Sequence, residues 1–295
     1  MRRKYREPLY HKVLERYVQL ITCNGVTQGI FLEGGLSRDG KLGKAKIGLL
    51  DYLIGVARDP AIRAKLHVVP VAINYDRVLE DRSLLRELDA REGRTRPPRS
   101  AQLAEVLRYV GWNIVRLVTR RWKRYGRAAV VIGEPFPLSP WLEAQDRAVG
   151  DLFAIPRPER LARVQKLADL VLEKIAALVP VTPVSLACAA IQSFDGEFVE
   201  HRRLLERMSE MRDVLRDLNA RIIRHDGAIE ETFERAWRML EMRRILVRSG
   251  EGYAILPGSR PLVSYYANSV AHLLGPFAEG VRQRDAIPGL TLLDR

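Results

Sequence analysis

The chain has 295 residues, 47% of them apolar and 29% charged, and its 49 Lys and Arg against 36 Asp and Glu leave a formal charge of +13. Such a length supports one large or two modest cores, and such a composition excludes a disordered chain. The positive charge attracts anions, which leaves nucleic acid, anionic lipid headgroups and phosphorylated substrates open as partners. Two cysteines, Cys23 and Cys188, allow neither a disulfide framework nor a cysteine zinc site. Their apolar neighbourhoods predict buried, reduced thiols, which suits a reducing cytoplasmic compartment. Met1-Arg2-Arg3-Lys4 is basic but precedes no apolar core, so no signal peptide is visible. The best apolar stretch, Leu178 to Ile191, is broken by Pro180 and Pro183 and is too short to span a bilayer.

In chain order, Leu9, Val13, Leu14, Tyr17, Val18 and Ile21 recur at helical spacing, which predicts a helix over Leu9 to Thr22 that Asn24-Gly25 ends. The apolar run Gly29 to Leu32 reads as a strand. A loop around Glu33 follows, then a helix from Ile47 to Val56. His67 to Tyr75, rich in β-branched residues, reads as one strand. This alternation predicts an α/β sheet covered by helices, with ligands beyond the carboxyl ends of its strands, near Glu33 and Tyr75. Arg91 to Arg99 is a Pro-, Gly- and Arg-rich connector. Ala101 to Arg127 has a long helical pattern whose polar side carries seven arginines and lysines, among them Arg120, Arg121 and Arg124. With Trp112 and Trp122, that segment suits either an anionic bilayer surface or a place on the sheet with its basic face in water.

Ala128 to Pro135 reads as a third strand, Pro137, Pro140, Pro156 and Pro158 as loop markers, and Glu159 to Ala177 as a helix. Pro180 to Pro183 marks a boundary. Beyond it, Val184 to Gln192, His201 to Ile223 and Ile229 to Met242 read as helices, Ile245 to Leu256 as a hairpin about Ser249-Gly250-Glu251-Gly252, and a last helix begins near Val263. The domain expectation is therefore an α/β domain over 1–179, holding a partial sheet, and a mostly helical region with a β-hairpin over 180–295.

One stretch organises these elements: Phe31-Leu32-Glu33-Gly34-Gly35-Leu36-Ser37-Arg38-Asp39-Gly40, followed by Lys41, Lys44 and Lys46. Glycines let backbone N–H groups approach a ligand, and cations neutralise its oxygens, which is the chemistry of a compact anion such as phosphate. A carboxylate inside that positive field needs a reason: a ligand hydroxyl to bind, or an arginine to hold.

Phe31-Leu32-Glu33-Gly34-Gly35-x-Ser37-Arg38 resembles the third conserved block of the glycerol-3-phosphate acyltransferase family, and Val69-Pro70-Val71-Ala72-Ile73-x-Tyr75 resembles the fourth. Lys46-Ile47-Gly48 and Tyr265-Tyr266-Ala267-Asn268-Ser269-Val270-Ala271-His272 resemble features of its bacterial membrane-associated type, kin to the dihydroxyacetone-phosphate enzymes. The resemblance covers about residues 1 to 275. It implies transfer of an acyl group from acyl-CoA or acyl-carrier protein to the first hydroxyl of glycerol 3-phosphate, without a metal or other cofactor, at the cytoplasmic face of the membrane. By the same resemblance, Glu33 and Arg38 hold the glycerol and phosphate within the Gly34-Gly35 turn. Ser37 supports that contact, Lys46 and Arg3 add phosphate contacts, with Arg2 as the alternative to Arg3, and Pro70 and Tyr75 lie on the acyl-donor side.

Two departures stand out. Leu36 occupies a position where the family usually has arginine. None of the five histidines stands in the family's His-x-x-x-x-Asp block; His201 and His225 are each followed at that spacing by glutamate, Glu206 and Glu230, in the C-terminal helical region. Hydroxyl attack on a thioester needs a general base, so the expectation is an N-terminally incomplete copy with no catalytic residue and no turnover of its own. A nucleic-acid-binding reading rests on the charge and on the helix, helix, hairpin order. It is disfavoured because no aromatics interleave with the basic runs.

Overall fold

The computed structural model describes residues 7–91, 126–223 and 227–275. The chain forms two compact units, one of Met1–Leu36, Leu42–Ala72 and Val131–Leu178, the other of Ser37–Lys41, Ile73–Val130 and Val179–Arg295. The class is mixed α/β, and the strands among the described residues lie in three small sheets, two of two strands and one of three.

The first unit opens with α1 (Pro8–Cys23). Pro8 suits a helix start, where a missing N–H costs nothing. Gly25, at φ +75°, ends it with two bonds: its own N–H to Thr22 O and the Val26 N–H to Ile21 O, the pairing that closes a helix through a left-handed residue. Then come α2 (Gly48–Ile54), a 3-10 turn (Gly55–Arg58), α3 (Pro60–Arg63), β1 (His67–Val68) and the start of β2 (Val71–Tyr75). After the crossing back comes the end of β3 (Ala128–Ile132), then β4 (Phe136–Pro137), α5 (Ser139–Val149) and α6 (Arg157–Leu178). Leu50, Ile54, Leu138, Leu142, Leu152, Val164 and Leu167 form this unit's core.

The second unit contains α4 (Asp81–Arg91), α7 (Pro183–Gln192), β5 (Phe198–Glu200), α8 (His201–Asp217), α9 (Ile229–Met242), β6 (Leu246–Ser249), β7 (Gly252–Ile255) and α10 (Arg260–Asn268). Helix α7 is its buried centre, from Val184 to Ile191. Thr182 caps α7 through a reciprocal pair: the Ser185 N–H donates to Thr182 Oγ1 and the Thr182 N–H to Ser185 Oγ, which satisfies two of the end's orphan donors. Leu204, Met208, Met211 and Leu215 of α8 and Phe233, Ala236 and Leu240 of α9 complete the core.

Several expectations need correcting. Gly29 to Leu32 is not a strand: only Leu32 is buried there, Phe31 stands 78% exposed, and the link is one bond from the Lys46 N–H to Leu32 O, 2.7 Å. His67 to Tyr75 is two strands, because Pro70 has no N–H for a ladder; β1 pairs with β4 and β2 with β3. Bonds from the Asp76 N–H to Arg127 O and from the Gly133 N–H to Pro70 O run β2 and β3 antiparallel. The rule that ligands sit beyond the ends of parallel strands therefore has no purchase here. Pro140 begins α5 instead of marking a loop. Helix α8 stops at Asp217, ended by Asn219 at φ +53°. Helices α3 and α4 and strand β5 were not anticipated; β5 pairs with β7, so the expected hairpin is two strands of a three-stranded sheet. The connector from residue 92 and the basic pattern of residues 101–125 lie outside the described residues.

Candidate functional site

Glu33 follows buried Leu32 and sits half-buried in the first unit. Its Oε2 accepts the Gly43 N–H at 3.1 Å, so the carboxylate braces its own loop, and among the described residues it pairs with no arginine. Gly34 adopts φ +67°, and a Cβ there would meet the Lys46 side chain at 2.8 Å. The left-handed backbone favours glycine there, and a larger residue would also have to push the flexible lysine stem aside. Lys46 is exposed, Gly35 is exposed with nothing close to its missing side chain, and Pro70 is buried with its carbonyl taking the Gly133 N–H. The structure thus brings Glu33, Gly34 and Lys46 together through the 43–46 return. A cleft of about 430 Å³ in the same unit is lined by Arg58, Arg63, Asp146 and Phe153 and by none of the expected residues.

Ser37 and Arg38 belong to the second unit. Ser37 Oγ donates to Lys41 O at 2.8 Å and to Asp39 Oδ1 at 3.1 Å, and that carboxylate also takes the Lys41 N–H. The loop is closed on itself. Arg38 Nε donates to Glu87 of α4 at 3.1 Å, an exposed pair worth little to stability. Tyr75 is 43% exposed on β2. Arg3 lies outside the described residues.

Sequence reading missed the polar network that surrounds this loop's supports. Asp81, wholly buried at the start of α4, accepts from Arg243 Nη2 at 2.7 Å and from the Tyr266 hydroxyl. Arg243 Nη1 also donates to Val78 O, and the Val78 N–H to the Tyr266 oxygen. Burial, with Asp81 close by, pushes the Tyr266 hydroxyl well above its ordinary range, and burial together with Asp81, Asp39 and Glu80 pushes Tyr265 up to about 12. Both phenols stay protonated at neutral pH. Buried Asn74 donates to Pro180 O at 2.9 Å and to Ser269 Oγ at 3.2 Å. These partners lie more than 100 residues apart in sequence, and no local spacing could pair them.

The histidines offer hydroxyl and carbonyl contacts where these are defined. His11 meets Tyr52 Oη, His67 meets Lys65 O, and His201 meets Tyr253 Oη inside an aromatic cluster with Phe233. Among the described residues no group of three or more His, Cys, Asp and Glu is arranged to hold a metal. Of the thiols expected to be buried, Cys188 is and Cys23 is not, because Cys23 ends α1 on its outer side.

Residues 111–278 match the family described as the glycerol-3-phosphate acyltransferase C-terminal region. The chain belongs to that family. It is 26% identical over 281 residues to a glycerol-3-phosphate acyltransferase of Pseudomonas putida and 24% identical over 283 residues to one of Baumannia cicadellinicola, in each case over 92% of this chain and 32% of the relative. A Pseudomonas fluorescens enzyme of the same name is 30% identical over 197 residues, 65% of this chain and 22% of the relative. The chain therefore spans about a third of the length of the curated relatives it matches. Family membership accords with the resemblance carried by the Glu33 loop and the Tyr265 to His272 segment. It brings in α7 to α10 as well, which local chemistry alone left without a role.

Proposed function

We propose that this chain carries the glycerol 3-phosphate side of an acyltransferase of phospholipid synthesis. In the reaction the sn-1 hydroxyl attacks the thioester carbonyl of acyl-CoA or acyl-carrier protein. The ester C–O bond forms, the C–S bond breaks, the hydroxyl proton passes to a base and the thiol leaves. In this reading Arg38, Lys46 and Arg3 neutralise the phosphate, Glu33 orients the glycerol, Gly34 and Gly35 shape the turn, and Ser37 keeps the loop closed. Pro70 and Tyr75 stand on the acyl-donor side. The family match is the observation that carries the proposal, and the self-closed, cation-bearing loop supports it.

These 295 residues hold no His-x-x-x-x-Asp block, so the proposal includes binding without turnover by the chain alone. Among the described residues no helix is long and apolar enough to cross a membrane. Docking on an anionic bilayer surface is the proposed mode of membrane contact, with no nucleic acid involved. The test is titration of the purified chain with glycerol 3-phosphate, dihydroxyacetone phosphate and lysophosphatidate, alongside an assay with labelled acyl-CoA. Saturable, glycerol 3-phosphate-preferring binding that Arg38→Ala weakens, with no acyl transfer, is the expected result. Robust acylation by the chain alone would overturn the inactivity, and absence of binding would overturn the substrate assignment.

A further inference from the structure

The loop Ser37–Lys41 meets α10 in two places, both inside the second unit. Asn268 Nδ2, at the last residue of α10, donates to Asp39 O at 2.7 Å. One residue on, Gly40 at φ +83° lies so close to the helix that a Cβ would stand 1.9 Å from Tyr265 O. The Asp39–Gly40 peptide is thus held by a directed bond on one side and by backbone contact on the other. Helix α10 is itself fastened: Tyr266 reaches Asp81 at the start of α4, and Ser269 receives Asn74. Helix α4 in turn carries Glu87, the partner of Arg38.

We infer that Asn268 is a positioning residue for the substrate phosphate: by fixing the peptide after Asp39, it sets the direction in which Arg38 presents its guanidinium. The inference rests on the proposed role of Arg38 and assigns a task to the asparagine of the Tyr265 to His272 segment. An arginine stem has several rotatable bonds, so a planar fork aimed at a phosphate is only as well directed as the backbone beneath it. A neutral amide-to-carbonyl bond is a suitable device because it adds no charge that would compete for the anion.

The experiment is a double-mutant cycle on the 295-residue chain, reading glycerol 3-phosphate affinity by calorimetry or NMR titration, with amide exchange at Gly40 and Lys41 as the local readout. Asn268→Ala should weaken binding about five- to tenfold, the worth of one such hydrogen bond, and speed exchange at both amides. In an Arg38→Ala background the same substitution should change affinity no further, because residues acting through one another are not additive. If Arg38→Ala weakens binding while Asn268→Ala leaves it unchanged, or if the two losses add, the positioning role is refuted and the substrate assignment survives. If the unaltered chain fails to bind, or Arg38→Ala binds as the unaltered chain does, the assignment falls and the inference with it.

Discussion

Substitution of Arg243 by methionine tests whether the buried network holds the second unit together. Asp81 is wholly buried, and Arg243 is 8% exposed and bonded to it at 2.7 Å. Methionine keeps most of the arginine's length and removes its charge, leaving a buried carboxylate with the Tyr266 hydroxyl and the Arg82 N–H as partners. Removing one member of a buried pair costs about 3–5 kcal/mol, because the other charge stays desolvated and uncompensated. Tyr266→Phe removes the bond its hydroxyl donates to Asp81 and the two it accepts, from the Val78 N–H and from Arg243 Nη1; the bond to the charged group alone should cost about 1.5–3 kcal/mol. Asp81→Asn with Arg243→Met removes both charges and should cost less than Arg243→Met alone. Amide exchange along Leu186 to Ile191, the buried turn of α7, reports opening of this unit specifically. If Arg243→Met raises exchange there by less than the equivalent of about 1 kcal/mol, or the double variant costs the sum of its parts, the network is not what fastens α4.

Arg244 is an exposed residue at φ +53° ending α9, where its N–H bonds Glu241 O and the Ile245 N–H bonds Leu240 O. Arg244→Gly should therefore stabilise the chain by up to about 1 kcal/mol in urea titrations, relieving left-handed strain. Burial raises the Asp76 carboxyl above its ordinary 3.8, and its Oδ1 has no hydrogen-bond partner among the described residues. The folded state therefore binds more protons between 3.8 and the raised value, and stability falls as pH rises through that window. Asp76→Asn should stabilise the chain at pH 7, with the gain vanishing below about pH 4; a gain that persists at pH 3 would refute the burial argument. With Cys23 exposed and Cys188 buried, its thiol pushed up by burial, a thiol reagent should modify one cysteine quickly in native buffer and the second only in denaturant.

Elements with a strong period were legible in the sequence. Helices α1 and α9 lie close to their expected bounds because one apolar stripe decides each, α7 because its run is apolar nearly all round, and α10 starts at Arg260, close to the expected Val263. Helix α4 was not legible: it is strongly polar, and Leu84 is its buried apolar residue beside the buried Asp81. Strand β5 is three residues long and is set by β7, not by its own composition. The run Gly29 to Leu32 has strand composition without a pairing partner, and composition cannot supply one. The Glu33 loop was legible as a glycine turn, which Gly34 at φ +67° makes. Its carboxylate's partner was not, because Gly43 offers a backbone N–H that has no sequence signature. Asp81, Arg243 and Asn74 stood outside every motif, since their meaning depends on contacts across 106 to 195 residues.

The second unit is stitched from three separated pieces of chain, and the bond from Asn268 to Asp39 closes a loop of 229 residues. A chain emerging from the ribosome can assemble the first unit once Leu178 is out, while the cation-bearing loop waits for α10, some 90 residues later. Closure over such a separation is slow even though its entropy grows only with the logarithm of length. For the same reason, cutting the gene at the Pro180 boundary would not release a whole C-terminal module. It would leave Ser37–Lys41 and α4 on the other fragment, and with them the Asp81 anchor and Arg38.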